Sequence, residues 1–410
     1  MKHILILSIA TGSLIAGGYK IPEQSLNSMA LGGANIAHTV GADSAYFNPA
    51  NMSFMKNSNF IESGITLAHL PSINFNGFQA LSPTTILASN NSSEVENIPI
   101  PFFHFVSKEY NDFRFGLSLT VPAGLTKRWK NGVQKLFAQE FGLKIVEFNP
   151  SFSYKLNDKL SIGGGVRLIY SEGVVKSNGF DIGKPIARDM EGDTVEYGYN
   201  LALSYRPLDD LNIAVTYRSK IDLKEEGDAK LSLGTLLDTY NSSVVVPLPA
   251  SFNLAISKAL NDNFVIEFNY EKTFWSEYKN LDFVYDRAIF PTLKAPFDNP
   301  KAKNWRDTNT YRVGVSWQVT DDIILMGAYA YDETPVPVAN LSYELPDSDA
   351  HIFSGGIRVK YSDKLSYGVA ILYDKKDSID IGAGENQNGI IGKFDDGGAI
   401  LTTIGISYEF

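Results

Sequence analysis

Ile400-Leu401-Thr402-Thr403-Ile404-Gly405-Ile406-Ser407-Tyr408-Glu409-Phe410 alternates without a fault. Ile400, Thr402, Ile404, Ile406, Tyr408 and Phe410 share one face, and Leu401, Thr403, Gly405, Ser407 and Glu409 the other. A period of two marks a strand, because successive side chains leave opposite faces of a sheet. The same split recurs at Tyr311, Val313, Val315, Trp317 and Val319 against Arg312, Gly314, Ser316 and Gln318, and again at Leu365, Tyr367, Val369, Ile371 and Tyr373 against Ser366, Gly368, Ala370 and Asp374. One face is greasy; the other is small or charged. Alternation alone also fits a β-sandwich with a wet outer face.

Connection lengths separate the two. Short polar turns stand at Tyr110-Asn111-Asp112, Asn157-Asp158-Lys159, Leu208-Asp209-Asp210, Asn261-Asp262-Asn263, Thr320-Asp321-Asp322 and Ser362-Asp363-Lys364. Between them lie pairs of strand-like segments joined by long, irregular connections. Tight turns at one end and long loops at the other describe an outer-membrane barrel. Six turns divide the chain after residue 57 into seven hairpins, so about 14 strands are expected, an even number as such barrels require. They fall near 58–70, 97–109, 112–122, 144–156, 159–172, 194–206, 211–224, 248–260, 263–277, 308–319, 322–332, 350–361, 364–376 and 398–410, the second carrying Pro99 and Pro101. Closure suits a bilayer, where an open sheet edge finds no water. The expected inward face carries Arg114, Arg167, Arg218, Glu267, Glu271, Arg312, Arg358 and Lys360.

Composition agrees. Tyrosine (21), phenylalanine (25) and glycine (34) are abundant in the 410 residues. After the N-terminus no run reaches the roughly 18 apolar residues of a membrane-spanning helix. Lys2 and His3 precede an apolar run from Ile4 to Ile15, followed by Ala16, Gly17 and Gly18, the layout of a secretory leader over 1–16. Cleavage is expected after Ala16, although Leu14 is bulkier than the residue usual two positions earlier. Losing Lys2 moves the formal net charge from −10 to −11 (35 basic against 46 acidic residues). That balance argues against nucleic acid. The chain has no cysteine, and its five histidines are scattered, so neither disulfides nor a metal site is expected, and no cofactor motif is visible.

The segment Ala42-Asp43-Ser44-Ala45-Tyr46-Phe47-Asn48-Pro49-Ala50-Asn51-Met52 breaks the alternation. Asp43 can cap a short helix, and Asn48 before Pro49 places a capping residue ahead of proline at the first helical position. Together with Gly18-Tyr19-Lys20-Ile21-Pro22-Glu23-Gln24-Ser25 and Leu31-Gly32-Gly33-Ala34, this segment closely resembles the hatch of the FadL/TodX family of outer-membrane transporters for long-chain fatty acids and other hydrophobic compounds. Further matches are Thr216-Tyr217-Arg218-Ser219, Trp305-Arg306-Asp307-Thr308, Tyr331 to Pro337, and Leu345-Pro346-Asp347-Ser348-Asp349, after which Ala350 and His351 replace the family's usual basic residue. The resemblance implies a hatch (17–57, with Asn48, Pro49 and Ala50) plugging a barrel (58–410). It also implies capture of ligand by outer loops and sideways exit at a kink in the third strand, for which Pro122 and Gly124 are the candidates. It implies a Gram-negative outer membrane, with Phe410 presented to the assembly machinery, lipid around the barrel and a monomer.

Two long connections show helical spacing: Leu125, Trp129, Val133, Leu136, Phe137 and Phe141 in one, Leu231, Leu233, Leu236, Leu237 and Tyr240 in the other. Each either forms an apolar capture groove or packs on its neighbours, and the capture loops could instead be 173–193 and 227–247. Arg167, Lys176, Lys303 and Arg306 are candidates for holding a carboxylate head. Fatty acids compete here with aromatic or alkane hydrocarbons. A surface adhesin, an open pore, or a lipid hydrolase using His104 or His351 are the other classes, though no GxSxG element surrounds a serine.

Overall fold

The structure, a computed structural model, describes residues 17–410; the expected leader, 1–16, lies outside the described residues. Fourteen strands among the described residues close into one antiparallel ring. They are β1 (Phe60–Leu70), β2 (Glu96–Val106), β3 (Phe113–Thr120, resuming as Gly124–Arg128), β4 (Glu140–Asn157), β5 (Leu160–Asn178), β6 (Ile186–Leu208) and β7 (Leu211–Arg218, resuming as Ile221–Leu233). Then come β8 (Leu236–Leu248, resuming as Ser251–Asn261), β9 (Phe264–Thr273), β10 (Thr308–Thr320), β11 (Ile323–Asp332), β12 (Ala350–Lys360), β13 (Leu365–Lys376) and β14 (Gly398–Glu409). Each pairs with the next, and β14 returns to β1 from Phe60↔Glu409 to His69↔Ile400. All six expected turns join strand pairs at one end. The greasy face of β14 points out, with Ile404 63% exposed, while Leu401 and Thr403 are buried inside. Of the expected inward charges, Arg114, Arg167, Glu267, Glu271 and Arg312 are buried; Lys360 lies exposed at the rim, paired with Asp363 at 2.9 Å.

The strands on one side are longer than alternation suggests. β6 runs 23 residues. At about 3.3 Å per residue it extends far past a hydrocarbon core of about 30 Å. The helix expected over Leu231–Tyr240 is therefore corrected: Leu231 and Leu233 end β7, Leu236, Leu237 and Tyr240 begin β8, and Gly234 turns between them at φ +60°. Here β7 pairs with β6 (Glu226↔Asp193 to Leu233↔Ile186) as well as with β8, so this stretch is laddered on both sides as a central strand. Of the other expected helix only Gln134–Ala138 is helical, with Leu125 in β3 and Phe141 in β4. Opposite this wall, the β1–β2 and β13–β14 connections form a small sheet (Asn74–Ser82, Thr85–Ser92, Ile379–Ile381, Ile390–Asp395). It buries Phe75 and Phe394 against Tyr343.

The ring has one weak seam. β2 and β3 pair at only four positions, Phe103↔Leu119 to Val106↔Gly116, although β2 pairs with β1 along its whole length. Ser107 N–H donates to the Phe115 carbonyl across the seam, so odd-numbered residues of β2 aim their backbone at β3. Pro99 and Pro101 are odd. Having no N–H, they remove two donors from an edge that has no ladder partner.

Candidate functional site

Residues 17–57 fill the lumen. Helix α1 (Leu26–Ala30) starts in a capping box, Ser25 Oγ accepting from Ser28 N and Ser28 Oγ from Ser25 N, both at 3.0 Å. Asp43 and Asn48 hold the expected positions before α2 (Ser44–Phe47) and the 3-10 helix Pro49–Phe54, but neither side chain caps, which corrects that expectation. Both serve tertiary partners instead. Asp43 accepts from Ser25 Oγ (2.7 Å) and Asn35 Nδ2 (2.9 Å), and Asn48 Nδ2 donates to the Ile36 carbonyl (2.8 Å) and Ser204 Oγ (2.9 Å). Ala50 offers its carbonyl to Ser161 Oγ at 2.7 Å. Pro49 and Ala50 lie so close to the wall that a Cβ on Gly163 would meet Ala50 N at 2.6 Å.

The wall answers with charge. Glu267 accepts three successive N–H groups, from Ile36, Ala37 and His38, at 2.6, 3.0 and 2.7 Å. Arg358 donates to Asn27 Oδ1 at 2.9 Å and to Glu62, which also accepts from Leu26 N. His104 Nε2 donates to the Gln24 carbonyl (2.7 Å), so in the neutral ring Nδ1 accepts from Ser118 Oγ (2.9 Å). His104, which the hydrolase reading would have used, is thus paired with Ser118, both fully buried beneath the hatch.

At the seam the hatch completes the sheet. β3 breaks at Pro122, and Ile21 N donates to the Pro122 carbonyl (2.8 Å) while Gly124 N donates to the Tyr19 carbonyl (2.9 Å). Gln24 acts as a peptide unit on a side chain: Oε1 accepts from Val121 N and Nε2 donates to Val121 O, both at 2.9 Å. Pro122 and Gly124 thus mark the interruption, and hatch residues 19–24 fill it.

Above the seam are two linked cavities. An inner, apolar one is lined by Leu143, Val175, Val246, Phe283, Trp305 and Tyr19. An outer one, sharing Phe141, Phe283 and Lys303, adds Phe137, Arg188 and Phe297. A third, more polar cavity lies below, lined by Lys20, Pro122, Arg167, Glu271 and Arg312. Tyr19 and Lys20 form the partition. Tyr19 is clamped in a cluster of Trp275 (4.8 Å), Trp305 (5.7 Å) and Tyr278 (6.5 Å), its hydroxyl donating to the Pro247 carbonyl.

The expected site residues scatter. Lys303 lines both upper cavities, but its ammonium is paired with Glu344. Arg167 lines the lower cavity and is consumed by Glu147 (3.0 Å), which also binds Arg218. Lys176 is ringed by Glu140, Asp189 and Glu191 at 3.5–3.8 Å on the surface of the wall, and Arg306 is exposed; neither lines a cavity described above. Trp129 is fully buried, donating to the Tyr343 carbonyl at 2.9 Å, so it packs instead of forming a groove. Phe137 does line the outer cavity, whereas Leu233 and Leu236 face each other at the β7–β8 tip, Leu236 exposed. The residue missed is Arg188. Its Nε reaches Ser177 Oγ (3.3 Å), and its guanidinium lies 5.0 Å from the Phe283 and Phe297 rings and hydrogen-bonds the Tyr285 side chain. Among the described residues no carboxylate comes within salt-bridge distance of it, Glu344 attracting it from farther across the cavity.

A family model described as outer membrane protein transport protein (OMPP1/FadL/TodX) matches residues 7–410. A long-chain fatty acid transport protein of Escherichia coli O6:H1 is 22% identical, over 91% of this chain and 90% of its own. A 47 kDa outer membrane protein of Pasteurella multocida is 25% identical over 91% of each. Among solved structures, a Pseudomonas aeruginosa FadL homologue aligns with a TM-score of 0.80 at 20% identity, over 96% of this chain and 99% of its own. The Pseudomonas putida toluene transporter TodX aligns at 0.73 and 17% identity, over 98% and 99%.

Proposed function

The chain belongs to the OMPP1/FadL/TodX family of outer membrane transport proteins, and from that premise we propose that its cargo is a long-chain fatty acid or similar amphiphile with one anionic head. Cargo enters the outer cavity between Phe137 and Phe297, and its tail passes into the apolar inner cavity. After Tyr19 and Lys20 shift, it leaves sideways at the β2–β3 seam, where hatch backbone and the Gln24 amide fill the break in β3. No energy source is required, since each stage replaces water with apolar contact. The whole route lies within one chain, so a monomer suffices. Lipid bathes the outer face, and Phe410, at the end of β14, is the terminus offered to assembly machinery.

The observation that carries an acid over a hydrocarbon is Arg188: a guanidinium bonded to neutral groups with no carboxylate within salt-bridge distance, Glu344 acting only from farther off, flanked by aromatic rings at the mouth of an apolar cavity. Its planar fork suits a carboxylate. In the inner cavity Glu225 accepts from Ser171 Oγ at 2.5 Å and has one carboxyl oxygen unpartnered, which disfavours a carboxylate there and orients the head outward. The second reading, an aromatic hydrocarbon, is favoured by Tyr278 and Trp305 in the inner wall.

Uptake of labelled oleate and toluene, in a deletion strain carrying the native gene or Arg188→Gln, separates them. A lost charge-assisted hydrogen bond of about 1.5–3 kcal/mol lowers oleate affinity roughly ten- to hundredfold and leaves toluene unaffected. Toluene uptake that depends on the gene, with oleate uptake that does not, selects the hydrocarbon. If neither depends on it, the substrate reading fails.

A further inference from the structure

The hatch begins in a pocket with too many carboxylates. Gly17 N donates to Asp332 Oδ2 on β11, and Gly18 N to Asp347 Oδ2 at 3.1 Å. Asp332 also accepts from Thr310 Oγ1 (2.5 Å), and Asp347 from Thr334 Oγ1 (2.6 Å) and from Lys376. Asp374, two residues before Lys376 on the same inward face of β13, is buried with neither oxygen hydrogen-bonded. These three buried carboxylates, with Glu23 beside Asp332 and Asp374, face two cations, the Lys376 ammonium and the Arg312 guanidinium, and Arg312 is already paired with Glu271 at 2.8 Å. A buried anion without a partner is costly, so a cation is missing. The pocket has no room for another side chain at its mouth: a Cβ on Gly17 would meet the Glu333 carbonyl at 2.8 Å, and one on Gly18, at φ +81°, would meet the Trp275 ring at 2.7 Å.

We propose that the missing cation is the chain's own α-ammonium: the Ala16–Gly17 bond is cut, and the new terminus on Gly17 is the counter-ion of Asp332 and Asp374. A secretory peptidase adds water across the amide, the hydroxyl going to the Ala16 carbonyl and a hydrogen to the Gly17 nitrogen. That nitrogen then takes a second proton at neutral pH. An uncut chain presents an uncharged amide at the same position and leaves the cluster unbalanced. Cleavage therefore does more than free the protein from its leader, since it creates the charge that ties the hatch to β11 and β13.

Intact mass and terminal sequencing of the protein from outer membranes are expected to begin at Gly17; any other start overturns the proposal. The second arm is acylation of the terminal amine near pH 7 by an N-hydroxysuccinimide ester. Opposite charges raise an amine's pKa by at least a unit, so labelling of the folded protein should be about tenfold slower or more than that of the denatured chain. Asp332→Asn/Asp374→Asn should regain most of that rate, with heat-dependent gel mobility confirming the barrel; Asp374→Asn alone serves if the double variant does not assemble. A folded variant labelled as slowly as the native protein indicates steric shielding and refutes the ion pair.

Discussion

Asp43 shows how one buried carboxyl in the hatch sets a pH dependence. Burial, and next the neighbouring Glu62 carboxylate, push it up to about 7, against the hydrogen bonds from Ser25 and Asn35. A carboxyl that holds its proton more tightly when folded contributes stability fully present below its ordinary value and lost as pH rises toward 7. Hatch stability should therefore fall between about pH 4 and 7, by at most about 1.4 kcal/mol per pH unit. Asp43→Asn keeps the acceptor for Ser25 and Asn35 and removes the charge. Thermal melts of the variant should match the native protein near pH 4 and exceed it at pH 8; parallel profiles would sink this account. Arg188 makes the contrasting point about legibility. A basic residue in a strand is common, and what distinguishes this one is that no carboxylate lies within salt-bridge distance of it, Glu344 acting only from farther off across the same cavity, which no single sequence displays. Lys303 and Arg167 had the right type and the right neighbourhood, and both are already neutralised.

Among elements, β3 is the most consequential. Its weak pairing with β2 is partly readable, because Pro99, Pro101 and Pro122 are incompatible with an unbroken ladder. That a glutamine side chain would close the break is not readable, since Gln24 is nearly a hundred residues away. Gln24→Ala should leave the Val121 N–H and C=O unpaired, at a cost of about 1–3 kcal/mol for each group. Hydrogen exchange at Val121 and Gly124 is the measurement: acceleration of tenfold or more is expected, and unchanged protection would mean that the amide closes nothing. The strands and turns themselves were legible because alternation and Asx-rich turns are local. The β7–β8 hairpin was not, for Leu231, Leu233, Leu236, Leu237 and Tyr240 satisfy a helical period as well as a strand one. Pairing with β6 decides between them, and pairing is a property of the neighbour.

For the whole molecule, a ring of 14 strands encloses a lumen that the hatch occupies through Glu267, Glu62, His104 and Ser204. Planar-bilayer recordings of the intact protein should show no large steady conductance, whereas a chain lacking residues 17–57 should conduct continuously, as an open pore would. A large conductance from the intact protein would contradict the plug. Those same contacts carry a consequence for assembly in time. Asn27 meets Arg358 across 331 residues of sequence, and Ile36 meets Glu267 across 231. The hatch, synthesised before the barrel, is therefore the last to find its partners, and such distant pairings are slow to form. Until β14 docks on β1, the hatch has no enclosed surface to fold against. The barrel must gather its plug as it closes, and a chain stalled before its final strand would hold an unfolded hatch exposed to periplasmic proteases.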